Sequence, residues 1–268
     1  MIANIAYVKR IMGDLRAKKK YGQNFLIDAN IVDKIAKNAC DKELLTIEIG
    51  PGLGALSEML LKYSRNVEAY EIDEDMYEIL NDEFKDEDRF KVYLEDFLDT
   101  DLNKYQEKIN VCSNLPYYVT TPILFKLFDS DLDINKITVM VQKEVADRFN
   151  ASIGSEDYNA LSIIVQYLFE VKLEMNVSKK VFYPEPQVDS AVISFTPKIE
   201  RNREFEKGFF ELLRNSFKMR RKTLRNNLKD IYDGVLLDTI FKEMKLKDSI
   251  RAQELSLNDF LEIYRMTR

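Results

Sequence analysis

Histidine does not occur in the 268 residues of this chain. It is the one side chain whose ordinary pKa brings a charge change to near-neutral pH. Histidine-based triads and histidine-ligated metal centres are therefore excluded, and any chemistry must rest on positioning, electrostatics, carboxylates, lysine or cysteine. Cysteine is nearly missing too. Cys40 and Cys112 sit in apolar contexts and suggest neither a disulfide framework nor a metal cluster. No apolar run approaches the ~20 residues of a membrane span. The opening Met1-Ile2-Ala3-Asn4-Ile5-Ala6 is too short, and too soon followed by Lys9 and Arg10, to be a secretory signal. These absences predict a cytoplasmic protein with no membrane partner and no metal.

What is present is a globular composition, 46% hydrophobic and 32% charged. The length allows one large domain, or a main domain with a smaller one. A formal charge of -6 argues at first against a polyanion partner. The charge is unevenly placed, however. Acids crowd residues 68–101, whereas Lys9, Arg10, Arg16, Lys18, Lys19 and Lys20 make the N-terminal arm basic. A second basic block holds Arg214, Lys218, Arg220, Arg221, Lys222, Arg225 and Lys229. Local potential, not net charge, decides where a polyanion docks, although such runs are also ordinary solvated faces.

Helical and strand patterns alternate through the first two-thirds. Residues 27–39, 53–63, 74–82 and 121–128 carry helical spacing, and residues 44–49, 66–72, 90–94, 109–113 and 137–141 read as strands. This alternation predicts an α/β doubly wound sheet. Residues 168–177 and 189–195 read as a terminal antiparallel pair. Beyond Pro197 the pattern is helical, so a boundary is placed near Ile199, separating residues 1–199 from a small all-helical domain of residues 200–268.

Two motifs sit at predicted strand ends. Asn114-Leu115-Pro116-Tyr117 places an amide, a cis- or kink-prone proline and an aromatic ring at one end. The Asn114 amide oxygen and the Leu115 carbonyl suit the two hydrogens of an aromatic amine, with Tyr117 stacked on its ring; the alternative is a plain strand-to-helix turn. Glu48-Ile49-Gly50-Pro51-Gly52-Leu53-Gly54 ends the first strand, and Glu71 follows about twenty residues later at the next strand end, placed for ribose hydroxyls. The spacing is G-x-G-x-G with no basic side chain, which favours adenosine without phosphates, and S-adenosylmethionine above all. Asp96 suits the adenine amine, with Phe97 as a wall, or else it caps a helix.

The ordered set Lys20-Tyr21-Gly22-Gln23-Asn24-Phe25-Leu26, Glu48 to Gly54, Asn114 to Tyr118 with Thr120-Thr121-Pro122, Gln142-Lys143-Glu144-Val145, Phe182-Tyr183-Pro184-Glu185-Pro186-Gln187-Val188-Asp189-Ser190-Ala191-Val192 and Arg220 to Leu228 resembles the bacterial small-subunit rRNA adenine dimethyltransferase family across nearly the whole chain. The resemblance implies a Rossmann-like class I methyltransferase sheet and transfer of four methyl groups from S-adenosylmethionine to N6 of two adjacent adenines near the 3′ end of 16S rRNA. It also implies a role in small-subunit maturation. It assigns cofactor contacts to Asn24, Leu26, Gly50, Gly52, Glu71, Asp96 and Asn114, and makes the N-terminal arm, a loop on sequence grounds, a lid.

The amine grip then falls to Asn114, Leu115, Pro116 and Tyr117. Tyr117 and Phe182 would sandwich the target base, Phe182 being otherwise a core residue. Lys18, Lys19, Lys20, Arg220, Arg221, Lys222 and Arg225 become phosphate contacts for 16S rRNA in immature 30S particles, bound by a monomer. Tyr118 departs from the asparagine found in other members. Three rivals share parts of this pattern: the macrolide-resistance type of 23S rRNA adenine methyltransferase, an rRNA-binding assembly factor, and a small-molecule or DNA N6-adenine methyltransferase.

Overall fold

A computed structural model describes residues 2–14, 24–116, 118–198 and 201–268. The chain forms two compact units, one of Met1–Ala146 with Lys172–Pro197 and one of Asp147–Val171 with Lys198–Arg268. None of the described helices is long and apolar enough to cross a membrane.

The first unit is built on a seven-stranded sheet. Its strands are β2 (Leu45–Ile49), β3 (Asn66–Glu71), β4 (Phe90–Leu94), β5 (Ile109–Asn114), β6 (Ile134–Gln142), β7 (Phe169–Val177) and β9 (Ser190–Pro197). The order across it is β4-β3-β2-β5-β6-β9-β7. β2 runs parallel to both β3 and β5, β3 to β4 and β5 to β6, whereas β9 is antiparallel to β6. All five residues of β2 are buried, as expected of a parallel strand covered on both faces. After β4 the chain returns to the other side of β2, so the order reverses between β2 and β5. Ligands of open α/β sheets bind in the crevice at such a reversal, beyond the carboxyl ends of the strands. A two-residue pair, β1 (Phe25–Leu26) with β8 (Phe182–Tyr183), lies outside the main sheet.

The helices begin where polar side chains cap them. Asp28 accepts from Asn30 and Ile31 N–H at 2.9 and 3.2 Å and starts α2 (Ala29–Ala39), two residues later than the apolar spacing alone suggests. Its Val32, Ile35, Ala36 and Ala39 are buried. Asp73 caps α4 (Glu74–Glu83) in the same way, and α3 (Ala55–Tyr63) and α5 (Thr120–Asp129) complete the strand connections.

Two expectations need correction. The N-terminal arm is not wholly a loop, because Ile5–Asp14 form helix α1, with Asn4 Oδ1 accepting the Tyr7 N–H at 2.8 Å. Ile2 and Val8 are buried beside Phe25, Leu53 and Met76. The single boundary near Ile199 also fails, since Asp147–Val171 belong with the C-terminal helices. The cause is aromatic packing. Tyr167 of α7 (Ala160–Leu168) lies 5.3 Å from Phe209 and 6.0 Å from Phe210, both on α8 (Arg203–Ser216), and Tyr158 donates to the Leu255 carbonyl at 3.0 Å. The helices α9 (Leu224–Leu228), α10 (Gly234–Glu243) and α11 (Leu257–Met266) complete that unit; α6 (Lys143–Phe149) is divided between the two.

Gly54, at the start of α3, has φ +83°, and a Cβ there would stand 2.7 Å from the Phe84 ring and 3.0 Å from Leu80. Gly54→Ala is therefore expected to destabilise the protein by about 1–3 kcal/mol, combining left-handed strain with overpacking. A urea titration would show this as a lower midpoint at unchanged slope, and an unmoved midpoint would contradict it.

Candidate active site

Beyond the ends of β2, β3, β4 and β5 the first unit encloses a cavity of about 420 Å³, within the range of small-molecule sites. The glycine turn forms one wall. Gly50, at φ +67°, donates its N–H to the Tyr70 carbonyl at 2.9 Å, so the turn is stitched to the end of β3. Glu71 makes the second tie. One carboxylate oxygen accepts the Gly52 N–H at 3.0 Å, and the other accepts those of Ile72 and Asp73, both at 2.9 Å. Glu71 is only 5% exposed; burial raises its pKa, against the opposing pull of these three donors.

Glu48, on β2, is 1% exposed and also lines the cavity. Its partner is Ser57 Oγ on α3, which donates at 2.6 Å. Burial pushes this carboxyl up to about 8, against the Ser57 bond and with a smaller contribution from Glu71. The sequence signal for Glu48 was its place in the strand that ends in the glycine turn, which motif reading credits to the glycines.

After β4, residues 96–100 fold into a tight turn. Asp96 Oδ1 accepts the Leu98 N–H at 2.8 Å and its carbonyl accepts from Asp99 N at 2.9 Å. Asp96 thus caps a turn, with no helix following it as the capping alternative expected, and it also lines the cavity. Phe97 is buried, edge-on to Tyr70 at 5.5 Å. Ile72 and Leu98, unmarked in the sequence reading, join the lining.

Asn114 closes β5 across the crevice. Its Nδ2 donates to the Asn24 carbonyl at 3.3 Å, which orients the side-chain amide and ties β5 to the segment leading into β1. Leu115 is buried, its N–H donated to the Met140 carbonyl at 3.1 Å. The Pro116 carbonyl accepts from Val119 N and Thr120 Oγ1, both at 3.2 Å, and so leads into α5. The Leu115–Pro116 peptide is trans, and the bend comes from that turn. Tyr118, 56% exposed, stands at the cavity lip.

All of Asn24, Leu26, Gly50, Gly52, Glu71, Asp96, Asn114, Leu115 and Pro116 line this one cavity. Tyr117, Lys18, Lys19 and Lys20 lie outside the described residues. Phe182 does not reach the cavity. It is 3% exposed, paired with Leu26 across β1 and β8, and packs in the core with Val177 and Val192, so its ring has no face for a base. In the second unit, Arg220, Arg221 and Lys222 are exposed on the turn after α8, with Arg220 donating to the Ser155 carbonyl at 3.0 Å. Arg225 differs from them. It pairs with Asp238 at 2.6 Å and Asp248 at 3.3 Å and covers the Phe241 ring at 4.4 Å, a set of contacts that staples the helices rather than facing a phosphate.

The family profile described as ribosomal RNA adenine dimethylase matches residues 14–268. The chain belongs to the ribosomal RNA adenine dimethylase family. It is 44% identical over 264 residues to a ribosomal RNA small subunit methyltransferase A from Bacillus pumilus, covering 92% of this chain and 89% of that one. With the protein of the same name from Mycoplasmopsis pulmonis it shares 41% over 250 residues, 93% and 98% of the two chains. Among solved structures, a dimethyladenosine transferase from Plasmodium falciparum superposes with a TM-score of 0.74 at 27% identity, over 89% of this chain and 95% of that one. The 23S rRNA methyltransferase ErmE gives 0.67 at 21% identity, over 90% and 98%, a likeness of fold. The α/β, Rossmann-like class I methyltransferase sheet read from the sequence of this dimethylase-family member is borne out.

Glu48 gives this site a pH signature. Its folded pKa lies above the unfolded value of 4.5, so its contribution to stability is full below pH 4.5 and is lost as pH rises toward 8, at up to about 1.4 kcal/mol per pH unit. Glu48→Gln removes that loss. The stability of the variant relative to the natural chain should rise with pH between about 4.5 and 8 and level off above, as read by denaturant titration. A difference independent of pH would contradict the buried neutral carboxyl.

Proposed function

We propose that this chain is an S-adenosylmethionine-dependent rRNA (adenine-N6,N6-)dimethyltransferase that acts on two adjacent adenines near the 3′ end of 16S rRNA in immature 30S particles, in the cytoplasm. One observation carries the reading. The amide of Asn114 and the ends of β2, β3 and β4 meet on a single cavity at the sheet's reversal point, where an adenosine cofactor and a target amine can be held side by side.

The residues fit that cofactor. Glu48, Glu71, Glu95 and Asp96 line the cavity, and among its described lining residues there is no lysine or arginine. Glu48 is neutral there, but the other three acids suit a cationic, hydroxyl-bearing ligand, and the site is poorly made for phosphates. Glu71 would hold the ribose, Asp96 and Leu98 the adenine, with Gly50 and Gly52 allowing close backbone approach. When bound, S-adenosylmethionine supplies an electrophilic methyl group on a sulfonium.

The target amine is a poor nucleophile because its lone pair is delocalised into the ring. Asn114 Oδ1 and the Leu115 carbonyl accept its two hydrogens, turning the lone pair out of conjugation and stabilising the positive charge that develops on nitrogen. Both acceptors stand in fixed places, Asn114 through Asn24 and Leu115 through Met140, so alignment carries most of the rate. The nitrogen becomes strongly acidic as it takes the methyl, and its proton passes to solvent. No general base is required, in keeping with a chain that has no histidine. The base must leave its stack to enter, and Tyr117 is proposed to cover its face. Arg220, Arg221 and Lys222, with Lys18, Lys19 and Lys20, are proposed as the phosphate contacts; shape rather than sequence then guides docking.

Asn114→Ala separates chemistry from binding. Methyl transfer to immature 30S particles should fall on the order of 100-fold or more, with particle affinity in a sedimentation assay held within about threefold. Equal loss of both would contradict the role given to Asn114. Turnover on naked 23S rRNA comparable to that on particles would favour the macrolide-resistance type of enzyme instead.

A further inference from the structure

Lys126 is a half-buried cation in the last turn of α5, and the functional assignment leaves it unused. Its Nζ donates to the Leu98 carbonyl at 2.7 Å and to the Thr100 carbonyl at 2.6 Å, and stands 5.8 Å from the centre of the Phe97 ring. Two bonds from one ammonium to backbone carbonyls are charge-assisted, and each is stronger than a neutral pair. They fall on the 96–100 turn, in which Asp96, Phe97 and Leu98 line the cavity. The turn also holds itself, through Leu98 N to Asp96 Oδ1 at 2.8 Å and Thr100 Oγ1 to the Asp96 carbonyl at 3.3 Å. These internal bonds set its shape without fixing where it stands against α5. Lys126 supplies that fix.

We propose that Lys126 is a positioning residue for cofactor recognition. By clamping the Leu98 and Thr100 carbonyls to α5, it places the Asp96 carboxylate where it reads the 6-amino group of the adenine. The chain of contacts is short: Lys126 holds the Leu98 carbonyl, and the same residue's N–H holds Asp96 Oδ1. A carboxylate oxygen accepts more than one hydrogen bond, so Asp96 serves the turn and the ligand together. The helix that carries the clamp begins at Thr120, just after the Asn114-Leu115-Pro116 stretch. Cofactor reading and the target-amine grip thus share one rigid element. The proposal rests on the reading of the cavity as an adenosine-cofactor site.

The test compares two ligands on the full chain by titration calorimetry, S-adenosylhomocysteine and S-inosylhomocysteine, which differ in the 6-amino group that Asp96 would read. The natural chain should prefer the adenosyl compound by about tenfold or more. Lys126→Met should cut that preference to about threefold or less, and Lys126→Arg, whose guanidinium can bridge two carbonyls, should restore most of it. The ratio is independent of the folded fraction, because both ligands report on the same competent molecules, so a loss of stability alone does not move it. A Lys126→Met chain that binds both ligands more weakly yet keeps the natural ratio would overturn the proposal. No preference in the natural chain would instead overturn the placement of adenine at Asp96, on which the proposal stands.

Discussion

Glu71 ends β3 with a carboxylate that is almost sealed from solvent and grips three backbone N–H groups, one from the glycine turn after β2 and two from its own strand end. Bonds of this kind to a charged acceptor are worth about 1.5–3 kcal/mol each. The bond to Gly52 holds the Gly50–Gly54 turn against β3, in a left-handed conformation that few side chains would tolerate. The Gly50 N–H, donated to the Tyr70 carbonyl at 2.9 Å, is the turn's second anchor on that strand. The position of the turn sets the start of α3, and Ser57 on α3 is the hydrogen-bond partner of Glu48. One buried acid therefore organises the glycine-turn side of the crevice.

The other side is built by different means. Asn114 and Leu115 are held by backbone partners, Asn24 and Met140, that come from separate elements. A grip of this type needs no titrating group, only acceptors that do not move. The chemistry proposed here asks for nothing that histidine would supply. The acids that line the crevice, Glu48, Glu71, Glu95 and Asp96, lie at or near the ends of β2, β3 and β4, and burial keeps Glu48 neutral until pH nears 8.

Much of this was legible in the sequence because the informative residues lie at strand ends. β2 and β5 read as apolar runs since both are buried on both faces of the sheet, and the motifs that follow them mark the crevice. What was not legible depended on contacts between residues far apart in the chain. The apolar face of α1 is short, and Val8 is followed at once by Lys9 and Arg10, so it reads as a charged arm. The place of residues 147–171 is decided by Tyr167 meeting Phe209 and Phe210 some forty residues on, a matter of tertiary aromatic packing. Phe182 belongs to a two-residue strand, and periodicity cannot tell which way so short a strand faces. Arg225 sits in a basic block, yet Asp238 and Asp248 from later in the chain claim it.

Asn114 and Leu115 are proposed to hold an adenine amine of small-subunit rRNA. The most direct test is mass spectrometry of rRNA from unmethylated immature 30S particles after incubation with this protein and S-adenosylmethionine. Two adjacent adenines near the 3′ end of 16S rRNA should each carry two new methyl groups on N6. Methylation at another nucleotide, or 16S rRNA left unmodified while 23S rRNA is methylated, would contradict the proposal.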